Sequence, residues 1–153
     1  MRTHSRPIRR SIWDFPRPPA VEACPFHIQI RHGGELIADS VRALAVLEKG
    51  HPPSYYLHPA DIRMELLEPA DRTTFCEFKG IAHYFHLVMS GDTIDEVAWT
   101  YLTPSPGFET IKNHLAFYPG HLDVCLVDGE RARPEPRHFY GGWITSHVRG
   151  PFR

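Results

Sequence analysis

Apolar and polar residues alternate one for one through Phe26-His27-Ile28-Gln29-Ile30-Arg31, the period of a strand with one buried face. His32-Gly33-Gly34-Glu35 then reads as a tight turn, and residues 36–38 return as a second strand. Residues 41–48 fit a short helix or a strand; their strand-rich surroundings favour strand, ended by His51-Pro52-Pro53. Further strands are predicted over 54–57, 75–77, 81–89, 94–101, 115–118 and 122–127, with turns at Gly91-Asp92 and Asp128-Gly129. Two short helices complete the pattern. One covers 60–67, with Asp61 in the first turn, where the helix dipole favours negative charge, and Pro69 ending it. The other covers 108–113 and is opened by Pro104-Ser105-Pro106.

The two ends read differently. Pro7, Pro16, Pro18 and Pro19 exclude a regular helix over residues 1–20 and disfavour a central strand, so this segment is an extended arm. Trp13 and Phe15 are expected to pin it to the body. Residues 131–153, rich in Pro, Gly and aromatics, are expected to wrap the surface. No repeat or linker divides the chain, so 1–153 reads as one domain with a core over 25–130. Many short strands between Gly and Pro turns predict a mainly β, antiparallel fold, either two packed sheets or a partly open barrel.

Composition narrows the class. At 153 residues, 42% hydrophobic and 23% charged, the chain has ordinary globular composition and can bury a real core. Three scattered cysteines (Cys24, Cys76, Cys125) do not make a disulfide framework, which favours a reducing, cytoplasmic setting. No apolar segment follows the first arginines as in a secretory signal, and no run reaches the ~20 residues of a membrane span. A net charge of −1 exerts no global pull on nucleic acid. Residues 1–17 nevertheless carry +4 against −5 for the rest. Such an arm serves solubility or docks on the acidic body more readily than it binds phosphates, because no basic fold face accompanies it.

Several phrases occur together in order: Gly34-Glu35-Leu36-Ile37-Ala38-Asp39-Ser40, Tyr55-Tyr56-Leu57-His58-Pro59 followed by Asp61, Thr74-Phe75-Cys76-Glu77-Phe78-Lys79-Gly80, Ala98-Trp99-Thr100-Tyr101 and Ala116-Phe117-Tyr118. They resemble the bacterial and fungal family catalogued as domain of unknown function 427, over roughly residues 25–130. Gly141-Gly142-Trp143-Ile144-Thr145 resembles an extension found in some members. The resemblance implies a β-tent-like (Mss-four-like) fold, in which antiparallel sheets meet along one edge. Methionine sulfoxide reductase B, the Mss-four-like zinc proteins and the ligand-binding domain of cereblon share that shape, but shape does not carry their activities over. The family is also labelled nucleotidyltransferase, which these residues do not support. Gly33-Gly34 is followed by one usable carboxylate, Asp39, with no partner two residues on to hold magnesium. No Walker or Rossmann glycine pattern is present.

Three groups of residues offer candidate chemistry. Relatives by shape often hold zinc, but this chain has no Cys-x-x-Cys pair. His83 and His86 point to opposite faces of a strand, and His114 with His121 lacks a third ligand, so no metal or cofactor is expected. Cys76 near Lys79 is the second group. A thiol beside an ammonium becomes a better nucleophile, and a lysine in a dry pocket can act as base or imine former. The plainer reading makes Cys76 a small hydrophobe and Lys79 the partner of a carboxylate such as Asp61. On one strand the two side chains point apart, so they share a site only if the chain bends, as Gly80 permits. His51 and His58 are the nearest candidate partners by motif.

Aromatics form the third group. Trp99 and Tyr101 share a strand face, while Tyr55 and Tyr56 point opposite ways, one to a core and one to a cleft. The expectation is a small-molecule-binding cleft walled by Tyr55 or Tyr56, Trp99 and Tyr101. Lys79 and Asp61 form its charged floor, and Thr74 and Arg63 add polar groups. The alternatives are a small transferase or hydrolase using Cys76 or Lys79, and an adaptor or nucleic-acid-binding protein using the arginine arm.

Overall fold

A computed structural model describes residues 9–153. The expectation for the start of the arm, including Arg2 and Arg6, lies outside the described residues. In chain order the strands are β1 (Arg10–Ser11), β2 (Ala20–Ala23), β3 (Ile28–His32), β4 (Glu35–Ser40), β5 (Leu44–Leu47), β6 (Ser54–Leu57) and β7 (Leu67–Cys76). They continue as β8 (Gly80–Met89), β9 (Asp92–Tyr101), β10 (Leu115–Phe117), β11 (Val124–Val127), β12 (Glu130–Arg131), β13 (Arg133–Pro134), β14 (Trp143–Ile144) and β15 (Val148–Arg149).

Two antiparallel sheets carry the structure. One has seven strands in the order β2-β5-β6-β10-β9-β8-β7, and the other has four in the order β12-β11-β3-β4. The ends of the described chain meet in a parallel pair, β1 with β15, and β13 pairs with β14. The mainly β, antiparallel expectation therefore holds. No described helix is long and apolar enough to cross a membrane.

The two predicted helices do not form. Residues 60–67 make two single 3-10 turns, Pro59–Asp61 and Met64–Leu66, and the second stretch keeps only Glu109–Ile111. Each is one turn long because its apolar residues are too few to repeat a helical stripe across several turns. Pro69 likewise ends no helix; it lies inside β7. β7 is an edge strand, where the missing N–H of proline breaks no ladder, and the pairing slips between Pro69 and Thr73. β2 is a further correction, because its Ala-Val-Glu-Ala sequence offered too short a pattern to read.

The seven-stranded sheet is buried on both faces. Toward the smaller sheet it presents Tyr55, Leu57, Val97, Leu115 and Phe117, which meet Ile28, Ile30, Ile37, Cys125 and Val127 in one apolar cluster. Its opposite face carries Val46, Tyr56, Ala82, Tyr84, Trp99, Tyr101, Ala116 and Tyr118, covered in part by Phe108 and Ile111. Alternation along each strand produces this division, since neighbouring residues face opposite ways. On β8 the register shifts between Phe85 and Leu87. Ala82 and Tyr84 therefore belong to the outer cluster, and Leu87 and Met89 to the inner one.

The N-terminal segment closes over this body. Ile12 and Phe15 are buried, and the Trp13 indole donates to the Pro151 carbonyl at 2.8 Å. Trp13 also packs against Gly50, where a Cβ would stand 3.1 Å from the ring.

Candidate functional site

The outer aromatic face of the large sheet opens into a cleft of about 580 Å³, within the ~300–1,000 Å³ typical of small-molecule sites. Tyr56 from β6, Thr74 and Cys76 from β7, Tyr84 from β8, and Trp99 and Tyr101 from β9 line it, with Tyr118 just beyond β10. Arg17, Lys49, Lys79 and Arg137 bring positive charge against Glu48 and Glu77, and His51 stands with them.

The strand stops at Cys76, before Lys79. Cys76 pairs with Gly80, so Glu77-Phe78-Lys79 forms a three-residue hairpin loop rather than more strand. Gly80 has φ +107°, which only glycine adopts without strain. The Ser105 N–H donates to the Lys79 carbonyl at 2.9 Å and ties the loop down. Cys76 and Lys79 both line the one cleft.

Lys79 is 9% exposed, and its Nζ lies 6.0 Å from the centroid of the Tyr101 ring. Among the described residues no carboxylate forms an ion pair with it. Arg72 offers the contrast: over the ring of Tyr84 at 4.6 Å, it also holds Glu96 through Nη2 at 2.8 Å.

The tyrosine wall is a hydrogen-bonding surface as well as an apolar one. The Trp99 indole donates to the Tyr56 hydroxyl at 3.0 Å, with the rings edge-on at 87° and 6.0 Å between centroids. The Thr74 and Tyr84 hydroxyls are 2.8 Å apart. Burial pushes the Tyr56, Tyr101 and Tyr118 hydroxyls well above the ordinary tyrosine range, so they remain neutral. A neutral phenol can donate to an acceptor in the cleft.

Three expected residues stand elsewhere. Tyr55 faces the inner cluster, edge-on to Trp143 at 5.3 Å, so Tyr56 is the member of that pair in the cleft. Asp61 does not hold Lys79. Its carboxylate takes Arg42 Nε at 2.9 Å, Arg42 Nη2 at 3.0 Å and Ser40 Oγ at 2.8 Å. Closeness in sequence does not bring them together, because the turn after β6 carries Asp61 toward β4 instead. Arg63 is exposed and pairs with Glu35 and Glu65.

Sequence reasoning left Tyr84 out of the site; its alternation with Ala82 on β8 was the available signal. Arg17 and Arg137, from opposite ends of the chain, carried no signal at all.

Residues 20–128 match the family model described as a domain of unknown function (DUF427), a span well over half the chain. No curated protein matches it.

Proposed function

The chain belongs to the DUF427 family, and from that premise we propose that it binds a small anionic ligand with a flat portion in the cleft described above. Lys79 takes the anion, and the flat portion lies against Tyr56, Trp99 and Tyr101. The observation that carries this reading is Lys79: its stem is packed into the cleft wall, the residue being 9% exposed, while its ammonium reaches the cleft near the Tyr101 ring with no carboxylate paired to it among the described residues. A lysine stem packed against the wall places its charged head at the cleft surface, where an unpaired ammonium is available to an anionic group. Neutral tyrosine hydroxyls add donors suited to the same anion. The two antiparallel sheets support the β-tent-like shape that the family resemblance implies.

A second reading rests on Cys76 lining the same cleft. A ligand anchored on Lys79 is then within reach of a thiol, the starting point for transfer or hydrolysis. Protection of Cys76 from alkylation by the bound ligand distinguishes occupancy near the thiol from occupancy elsewhere.

The experiment is a thermal-shift screen of amino acids, nucleotides, sugar phosphates and aromatic carboxylates, each beside a neutral counterpart. A ligand at 100 times its dissociation constant stabilises by ~2.7 kcal/mol. Shifts confined to anions support the proposal. A panel without shifts, or with shifts from neutral compounds only, removes it.

A further inference from the structure

His51 and Glu135 form a pair that anion binding does not use. The Glu135 side chain is 3% exposed and that of His51 13%, and Oε2 of Glu135 lies 3.1 Å from His51 Nδ1. The other carboxylate oxygen accepts the Gly142 N–H at 3.0 Å. Gly142 permits this approach because a Cβ there would stand 2.8 Å from Oε1 of Glu135 and 2.7 Å from the Pro52 carbonyl. The next residue back, Gly141, packs on Trp99 and Tyr118, so the pair adjoins the aromatic wall.

The arrangement fixes the imidazole. A carboxylate only accepts, so Nδ1 carries a proton, and in the neutral imidazole Nε2 keeps its lone pair. The Tyr140 ring, 4.5 Å away by centroids, holds the imidazole plane. Nε2 has no hydrogen-bond partner among the described residues, and His51 lines the cleft.

Resting on the reading that Lys79 takes an anion here, we infer that His51, positioned by Glu135, accepts a hydrogen bond from an O–H or N–H of the same ligand. The cleft therefore selects planar acids that carry a donor away from their anionic group. A pair that served only to fasten the C-terminal segment would impose no such selection.

The test measures affinities of full-length protein for 3- and 4-hydroxybenzoate, the matching methoxybenzoates and benzoate. All carry the ring and carboxylate; only the hydroxy acids donate. One hydroxy isomer is expected to bind roughly tenfold tighter than its methoxy analogue, the worth of one buried hydrogen bond. His51→Phe, which keeps a ring against Tyr140, should erase that ratio, whereas Lys79→Met should weaken all five acids together. Equal binding of hydroxy and methoxy acids, all still dependent on Lys79, overturns the inference and leaves the anion reading standing. Binding by none of the acids overturns the inference, and the wider anion screen then judges Lys79 separately. If His51→Phe fails to fold, two-bond proton–nitrogen correlations on the wild-type imidazole decide the matter. The neutral Nδ1–H tautomer is expected, and a proton on Nε2, in the other tautomer or in the imidazolium, overturns the proposal.

Discussion

Gly141 lies so close to Trp99 that a Cβ at position 141 would stand 2.3 Å from the indole ring. The C-terminal segment therefore forms one side of the aromatic cleft, and a hydrogen atom is all that fits between them. Gly141 also has φ +71°, a conformation that side chains resist.

Gly141→Ala is accordingly expected to destabilise by about 3 kcal/mol, combining backbone strain with overpacking. Denaturant unfolding measures this. The near-ultraviolet dichroism of Trp99 should change with it, and a neutral substitution would contradict the packing described.

The Trp99–Tyr56 hydrogen bond predicts a coupled pair. Trp99→Phe leaves a buried hydroxyl without its donor and should cost about 1–3 kcal/mol beyond the lost contact area. Tyr56→Phe strands the indole N–H in the same way. The double variant should cost less than the sum of the singles by about 1 kcal/mol. Additive costs would mean that the bond contributes nothing.

The three thiols should separate on alkylation. Burial raises the Cys125 thiol to about 12 and also raises Cys24, so neither offers thiolate near neutral pH. Cys76 is only half-buried and lines the cleft. Iodoacetamide with mass spectrometry should find Cys76 modified first, and Cys125 only on unfolding. Faster labelling at Cys24 or Cys125 would contradict this burial pattern.

Hydrogen bonding from Arg42 holds the Asp61 carboxyl below its usual range. A carboxyl depressed on folding stabilises the fold fully above its unfolded value of about 3.9 and loses that contribution as pH falls through the folded value. Asp61→Asn should therefore lower the melting temperature at pH 7, and the difference should shrink below about pH 4. A difference that does not vary with pH would contradict the ion pair.

The sequence made the fold class and half the cleft legible for one reason: period-two alternation survives in short strands. Trp99 with Tyr101, and Tyr55 against Tyr56, were placed correctly relative to one another by that rule alone. Asp61 and Arg63 were not, because their directions depend on a 3-10 turn that leads away from the cleft. His51 was visible only as a nearby histidine. Its partner Glu135 lies 84 residues on in an irregular segment, where no periodicity reports a contact. The meeting of Cys76 and Lys79 depended on the strand ending between them, which Gly80 allowed but did not require.

If Lys79 serves a ligand rather than the fold, Lys79→Met separates the two roles. Melting temperatures of variant and wild type are compared with and without the strongest anion from the screen. Without ligand, the variant should match wild type to within about 1 kcal/mol, since methionine keeps the packed apolar stem and no ion pair among the described residues is lost. With the anion, wild type should gain stability and the variant should not. A variant that is less stable than this without ligand, or that responds to the anion as wild type does, would make Lys79 a structural residue and contradict the account.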